Sequence, residues 1–167
     1  MAEREIIALP GKLLTAIDPG PTMSAYMILF EGRPNEFGKV QNEQMLELVR
    51  LRPQTGPIVC EQIRSYGMAV GAEVFETVRW SGRFEQIAID RGTPWKYVPR
   101  IDVKMHLCHS AKAKDANIRQ ALVDRFGGKG TKKAPGALYG VSADVWAALA
   151  LAVTVWDLRQ QPVFVYG

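Results

Sequence analysis

The stretch LLTAIDPGPTMSAYMILF, residues 13–30, sets two apolar runs on either side of Asp18-Pro19-Gly20-Pro21. Two such runs separated by turn-forming residues predict a strand pair, Leu13–Ile17 and Ser24–Phe30, with Asp18 at the end of the first strand. Glu31-Gly32-Arg33-Pro34 closes the second run, and a third strand is expected around Lys39–Gln41. Asn42 opens a helical stretch to about Arg52, with Met45, Leu46, Leu48, Val49 and Leu51 as its apolar side and Pro53 as its stop. Pro57–Cys60 reads as a buried strand with Glu61 immediately after it, followed by the loop Arg64-Ser65-Tyr66-Gly67. Val70–Ile89 reads as helix, with Val74, Phe75 and Val78 on one face and a weak point near Gly82. Trp95–Pro99 is a strand, and Asp102–Phe126 is helical with a break near Ser110–Lys112. Residues 127–140, rich in Gly and Lys, are expected to be a mobile basic loop. Ser142 can cap a final helix beginning near Asp144, and Pro162–Gly167 can form a short extended tail. Strands first, then strand and helix in alternation, predict an α/β fold with a mixed sheet.

The chain has 167 residues, 47% of them hydrophobic, which suits one domain over residues 1–167 and leaves little room for a second. The longest strongly apolar run, Val145–Trp156, is shorter than a bilayer requires, and MAEREIIALPGK has no signal-like apolar centre. A cytoplasmic protein with no membrane partner is expected. Cys60 and Cys108 lie among apolar neighbours at no zinc-like spacing and read as reduced, buried thiols. The net charge of +4 is unevenly spread. Between Lys104 and Lys133 eight lysines and arginines face only Asp115 and Asp124. A basic region beside acids placed elsewhere suits a protein that holds phosphates and also holds cations, although charge alone favours a solvated surface.

Asp18 and Glu61 each follow an apolar strand directly, which places both carboxylates at a sheet end, where α/β folds build sites. Asp144 opens a helix that is apolar almost all round, so its first turn must enter the core against the sheet. Convergence of the three would raise their pKa values unless divalent cations kept them ionised. Oxygen ligands favour Mg²⁺, with Mn²⁺ as substitute, and two ions in one site would serve in-line phosphodiester hydrolysis. Each acid also has a purely structural reading: Asp18 as a turn former, Glu61 as a strand-end charge, and Asp144 as a helix N-terminal residue favoured by the dipole.

In this order, LLTAIDPGPTMSAYMIL, PIVCEQIRSYG and SADVWAALALAVT resemble the first hairpin, the second acid-bearing strand and the final helix of the RuvC-type Holliday-junction resolvases. KYVPRIDVK and AKAKDANIRQALVDRF are similar to that family's strand, Pro-Arg turn and basic helix, so the resemblance runs from about Leu13 to Thr154. It implies a ribonuclease H-like fold with a mixed five-stranded sheet flanked by helices. It implies Asp18, Glu61 and Asp144 as catalytic metal ligands for two Mg²⁺ ions, and Lys104 near the scissile phosphate. The family's DNA-contacting lysine in the next helix matches Lys112 or Lys114, Arg119 adds a further contact, and the loop after the second acid offers Arg64 for a phosphate and Tyr66 either to stack on an unpaired base or to lie partly buried beside the sheet. The implied activity is symmetric nicking of four-way or other branched DNA by a homodimer, leaving 5′-phosphate and 3′-hydroxyl ends. Val70–Phe84 is the candidate dimer helix.

The sequence departs from the family where many members carry a fourth acid one helical turn after the third; here that position is Ala147. The departure and the short tail make a phage or prophage branch one analogy. His106 and His109 read as ordinary helix positions. Three other readings stand beside the resolvase: an actin-like ATPase or sugar kinase from the Asp18-Pro19-Gly20 hairpin, a structured-RNA nuclease of the YqgF-like group, and a non-catalytic branched-DNA-binding module.

Overall fold

The computed structural model describes residues 11–51 and 56–159, so the expected N-terminal segment, the Pro53 stop and the Pro162–Gly167 tail lie outside the described residues. Ten elements follow one another: β1 (Leu13–Asp18), β2 (Met23–Phe30), β3 (Arg33–Gln41), α1 (Asn42–Leu51), β4 (Ile58–Gln62), α2 (Ala72–Asp90), β5 (Trp95–Pro99), α3 (Arg100–Cys108), α4 (Asp115–Phe126) and α5 (Val145–Leu158). The strands form one mixed sheet in the order β3-β2-β1-β4-β5. β1, β2 and β3 run antiparallel as a meander, while β4 and β5 join parallel to β1. This is the mixed five-stranded α/β architecture that the alternation of elements predicts.

Alternation along the strands gives the sheet two apolar faces. Leu14, Ala16, Ala25, Met27, Leu29, Val59 and Val98 point to one face, which α5 covers with Val103 of α3 and Ile118 and Leu122 of α4. Ile17, Tyr26, Ile28, Ile58 and Cys60 point to the other, under Met45, Leu46 and Val49 of α1 and Phe84 and Ala88 of α2. From Val145 to Val155 every residue of α5 except Ala147 is buried. A helix apolar around its whole circumference needs partners on all sides, and α5 has them in β1, β2 and β4 beneath and α3 and α4 beside it.

Several expectations need correction. β3 is much longer than Lys39–Gln41: the chain reverses at Glu31-Gly32 and pairs with β2 from Arg33 onward. Pro34 is tolerated because β3 is an edge strand, and the register shifts between Ile28 and Leu29, directly opposite. Glu61 lies inside β4 rather than after it. α2 runs through Gly82 without interruption, and Phe75 and Val78 face outward, while Thr77, Ser81, Phe84 and Ala88 form the buried side. The Thr77 and Ser81 hydroxyls donate to the carbonyls of Glu73 and Val78, so burial leaves neither unsatisfied. Asp144, not Ser142, is the residue capping α5, and no side-chain bond accompanies the cap. Cys60 is buried as expected and burial pushes its thiol well above the ordinary range, but Cys108 is only half-buried; both are free thiols. The segment 127–140 carries backbone hydrogen bonds of its own.

The Asp18-Pro19-Gly20-Pro21 turn is tied down by a closed ring of hydrogen bonds. The Gly20 amide donates to Ser24 Oγ (3.2 Å), Ser24 Oγ donates to Asn42 Oδ1 (2.6 Å), and Asn42 Nδ2 donates back to the Gly20 carbonyl (2.9 Å). Ser24 and Asn42 are both buried. Gly20 is needed because a Cβ there would stand 2.2 Å from the Met23 carbonyl oxygen. Removing the Asn42 amide leaves the buried Ser24 hydroxyl without its acceptor and the Gly20 carbonyl without its side-chain donor. Asn42→Ala is therefore expected to cost roughly 1–3 kcal/mol in urea unfolding; an unchanged midpoint would show that the ring carries no stability.

Candidate active site

Sheet register brings the first two acids together. Ile17 pairs with Cys60 across the parallel β1 and β4, so Asp18 and Glu61 are the next residues on adjacent strands. Both stand two residues beyond positions on the α5 face, Ala16 and Val59, and therefore point toward α5. The same row crosses the whole sheet, because Lys39 pairs with Ala25, Ala25 with Asp18, and Glu61 with Val98. Above the row the first turn of α5 places Asp144, whose carboxylate accepts a hydrogen bond from Lys39 Nζ.

Arg100, the first residue of α3, enters the site directly after β5. Its guanidinium lies 3.6 Å from Glu61 Oε2 and donates to Asp115 at the start of α4. Burial alone would lower its pKa, but Glu61, Asp115 and Asp18 together raise it, so the group is firmly cationic. Asp18 responds in the opposite sense. Burial, then the charge of Glu61 and a hydrogen bond with it, then the charge of Asp144 push its carboxyl up to about 8, against the opposing pull of Arg100. Asp18 thus keeps its proton near neutrality beside Glu61, with Asp144 in electrostatic range.

A cleft of about 220 Å³ opens beside them, lined by Asp18, Arg100, Asp115, Arg119, Asp144 and Trp146 together with Ile118, Ala143, Ala147 and Ala150. Glu61 is not one of its walls and meets it through Asp18 and Arg100. Among the described residues no three His, Cys, Asp or Glu side chains stand close enough to form a ready ion-binding group, so the expected three-acid shell is a close pair and a third acid held off by Lys39. The donors themselves are carboxylates, the chemistry that a hard divalent cation takes, and their mutual repulsion is what such a cation would relieve.

The structure spreads the expected DNA contacts. Arg119 reaches the cleft, whereas Lys104 on α3 is partly buried and is not among its walls. Lys112 and Lys114 are exposed in the α3–α4 connection. Arg64 is exposed and donates twice to Gln62 Oε1. Tyr66 is 60% exposed, with its backbone in the left-handed region at φ 51°. His106 is not a bystander in its helix: it pairs with Asp157, which also takes a two-pronged bond from Arg125, so that α3 and α4 are bolted to the end of α5. Sequence reasoning does not single out Arg100, Lys39 or Asp115 as site residues. Arg100 has a signal in the Pro-Arg turn; Lys39 has none, because its role depends on a cross-strand register.

No family model matches the chain, and no curated protein matches it in sequence. Among solved structures it is similar in fold to Thermus thermophilus RuvC, with TM-score 0.65 and 18% identity over 88% of this chain and 95% of that one. It is likewise similar to T. thermophilus RuvC in complex with a Holliday junction substrate, with TM-score 0.66 and 18% identity over 89% and 96% of the two chains. The fold is thus the RuvC-like, ribonuclease H-like one.

The raised Asp18 pKa sets the sign of a pH effect. Below pH ~4 the carboxyl is protonated in folded and unfolded chains alike; from there to about pH 8 the unfolded chain loses the proton more readily, so folding is progressively disfavoured. In EDTA, Asp18→Asn should therefore melt at a higher temperature than the parent at pH 8, with the gap closing toward pH 4. Equal melting temperatures at both pH values would mean that the acids do not repel one another.

Proposed function

We propose that this chain is a divalent-metal-dependent endonuclease that hydrolyses phosphodiesters at four-way or other branched DNA. The observation that carries the reading is the cross-strand placement of Asp18 beside Glu61, with Asp144 opposite, in a fold shared with RuvC. T. thermophilus RuvC has been solved with a Holliday junction substrate, which supports branched DNA as the substrate class.

Asp18, Glu61 and Asp144 would hold Mg²⁺ or Mn²⁺, which supplies a water nucleophile at neutral pH and stabilises the leaving oxygen. Hydrolysis breaks the bond between phosphorus and the 3′ oxygen, leaving a 5′-phosphate. Arg100, anchored between Glu61 and Asp115, directs its positive charge to where the non-bridging oxygens gain negative charge. Arg119 on the cleft wall can hold a flanking phosphate. Lys104, Lys112 and Lys114 would extend the contact along the duplex arms, and Arg64 and Tyr66 would meet the junction's opened strands.

Symmetric nicking requires two sites related by a two-fold axis. The outer face of α2 supports a homodimer, because Phe75 (63% exposed), Val78 and Ile89 lie there uncovered. A double substitution, Phe75→Glu with Val78→Glu, should convert a dimer to a monomer in analytical ultracentrifugation and uncouple the paired nicks. A parent protein that sediments as a monomer removes this part of the reading.

Ala147 favours one alternative. It lines the cleft where a fourth acid would stand, as a non-catalytic DNA-binding module would allow. A labelled four-way junction separates the two. With Mg²⁺ or Mn²⁺, the parent should give paired nicks that EDTA abolishes, while Asp18→Asn, Glu61→Gln and Asp144→Asn each lose at least 100-fold in rate, ~2.7 kcal/mol or more of transition-state stabilisation. Tight binding with no cleavage in either metal would make the protein a binding module; cleavage confined to an RNA junction would make it an RNA nuclease.

A further inference from the structure

Beyond α4 the chain makes a small hairpin at the rim of the cleft. The Thr131 amide donates to the Ala134 carbonyl (3.0 Å), the Ala134 amide donates to the Thr131 carbonyl (3.1 Å) and to Thr131 Oγ1 (3.1 Å), and the Gly136 amide donates to the Lys129 carbonyl (2.9 Å). Gly130 and Pro135 face each other as an isolated bridge. This closes a tight loop with Lys132 and Lys133 at its tip, both exposed. The neck admits no side chain at Gly130, where φ is +72° and a Cβ would meet the Ala134 carbonyl oxygen at 2.4 Å.

The hairpin is fastened to the cleft wall. Lys129 Nζ lies 5.5 Å from the ring centroid of Trp146, and the Arg119 guanidinium lies 5.8 Å from the same ring. Trp146 is 8% exposed, lines the cleft and follows Asp144 by two residues. Its ring is a fixed post that positions two cations. Lys129, Lys132, Lys133 and Arg119 have no acidic partner among the described residues, in contrast to Lys39 and Arg100 within the site. Three of these cations stand on the built turn and the fourth, Arg119, on α4 beside it, so they repel one another until a polyanion arrives.

We infer that residues 129–136 form a phosphate-gripping arm, mounted on Trp146, that holds the DNA strand where it leaves the acidic cleft. The inference rests on the nuclease reading above. The carboxylates repel the backbone they must cut, and the basic arm supplies the attraction beside them. The grip is to phosphates, so it adds affinity without base preference.

The test is binding of a fluorescent four-way DNA junction in EDTA, where no cleavage occurs, followed by anisotropy over a series of salt concentrations. Lys132→Ala with Lys133→Ala should weaken binding and make the plot of log affinity against log salt shallower by about 1.8, the loss of two phosphate contacts. Gly130→Val keeps both lysines but opens the neck, and should weaken binding while circular dichroism stays unchanged. Arg50→Ala with Arg91→Ala removes the same charge from the α1 and α2 side and should leave the slope as it was. Equal losses in the arm and control pairs would reduce the arm to net charge alone, and parent-like binding by Gly130→Val or by the lysine pair would overturn it. A parent protein that fails to bind the junction at all would instead sink the nuclease reading.

Discussion

The burial of α5 is the constraint on which the site depends. With no polar face to give to water, the helix lies across β1, β2 and β4 and is walled in by α3 and α4. Ala148, Ala150 and Ala152 are small enough for the backbone to come close to the strands, and Leu149, Leu151 and Val153 fill the space around them. Once the helix is seated, its N-terminus has one place to be: above the row of β1 and β4 residues that carries Asp18 and Glu61. The third acid therefore reaches the site through packing, without any direct bond to the other two.

Packing of this kind forces like charges together and leaves the fold to manage the result. Asp18 relieves part of the repulsion by keeping its proton, and Arg100 and Lys39 take up the rest from opposite ends of the sheet. Neither cation comes from the neighbourhood of its acid in sequence. Lys39 lies 105 residues from Asp144, and Arg100 is positioned by the parallel pairing of β4 and β5, which sets Gln62 opposite Pro99 just before α3 begins. Asp115 holds the far side of Arg100 and so aims it across the cleft. The second ion cluster, Asp157 with Arg125 and His106, has a different character: its carboxyl lies below the ordinary range, because hydrogen bonds from Arg125 and His106 outweigh the effect of burial. One cluster is strained by like charges and faces the cleft, and the other is satisfied.

This contrast explains what can be read from the sequence. Strands β1, β2, β4 and β5 are legible because apolar runs end at Pro, Gly or charged residues, and the burial of α5 is legible because its composition permits nothing else. The acids follow from those two readings. Most of β3 is illegible since Arg33-Pro34-Asn35-Glu36 carries no strand signal; pairing with β2 and the edge position decide its conformation. The buried side of α2 misleads because Thr77 and Ser81 look like surface residues until their hydroxyls are seen to bond within the helix, while Phe75 and Val78 look like core and are exposed. Lys39 escapes because cross-strand neighbours have no sequence spacing to betray them, and Arg100 shows itself only through the Pro-Arg turn.

Ala147 is best weighed against this charge arrangement. An acid there would sit one turn from Asp144 on the wall of a cleft in which Asp18 already holds its proton to about pH 8. It would add a further negative charge without adding a cation, and the same wall already carries Asp115, committed to Arg100. With alanine in its place, Lys39 pairs with Asp144, and Arg100 with both Glu61 and Asp115, so each of these acids has a cation beside it. On the proposed reading, Glu61 and Asp144 would be among the residues that hold a metal ion, and Lys39 and Arg100, already beside them, would present positive charge to the phosphate. On that reading, alanine at position 147 and the two internal cations belong together: the wall carries one acid fewer, and the protein's own positive charge stands beside the cleft.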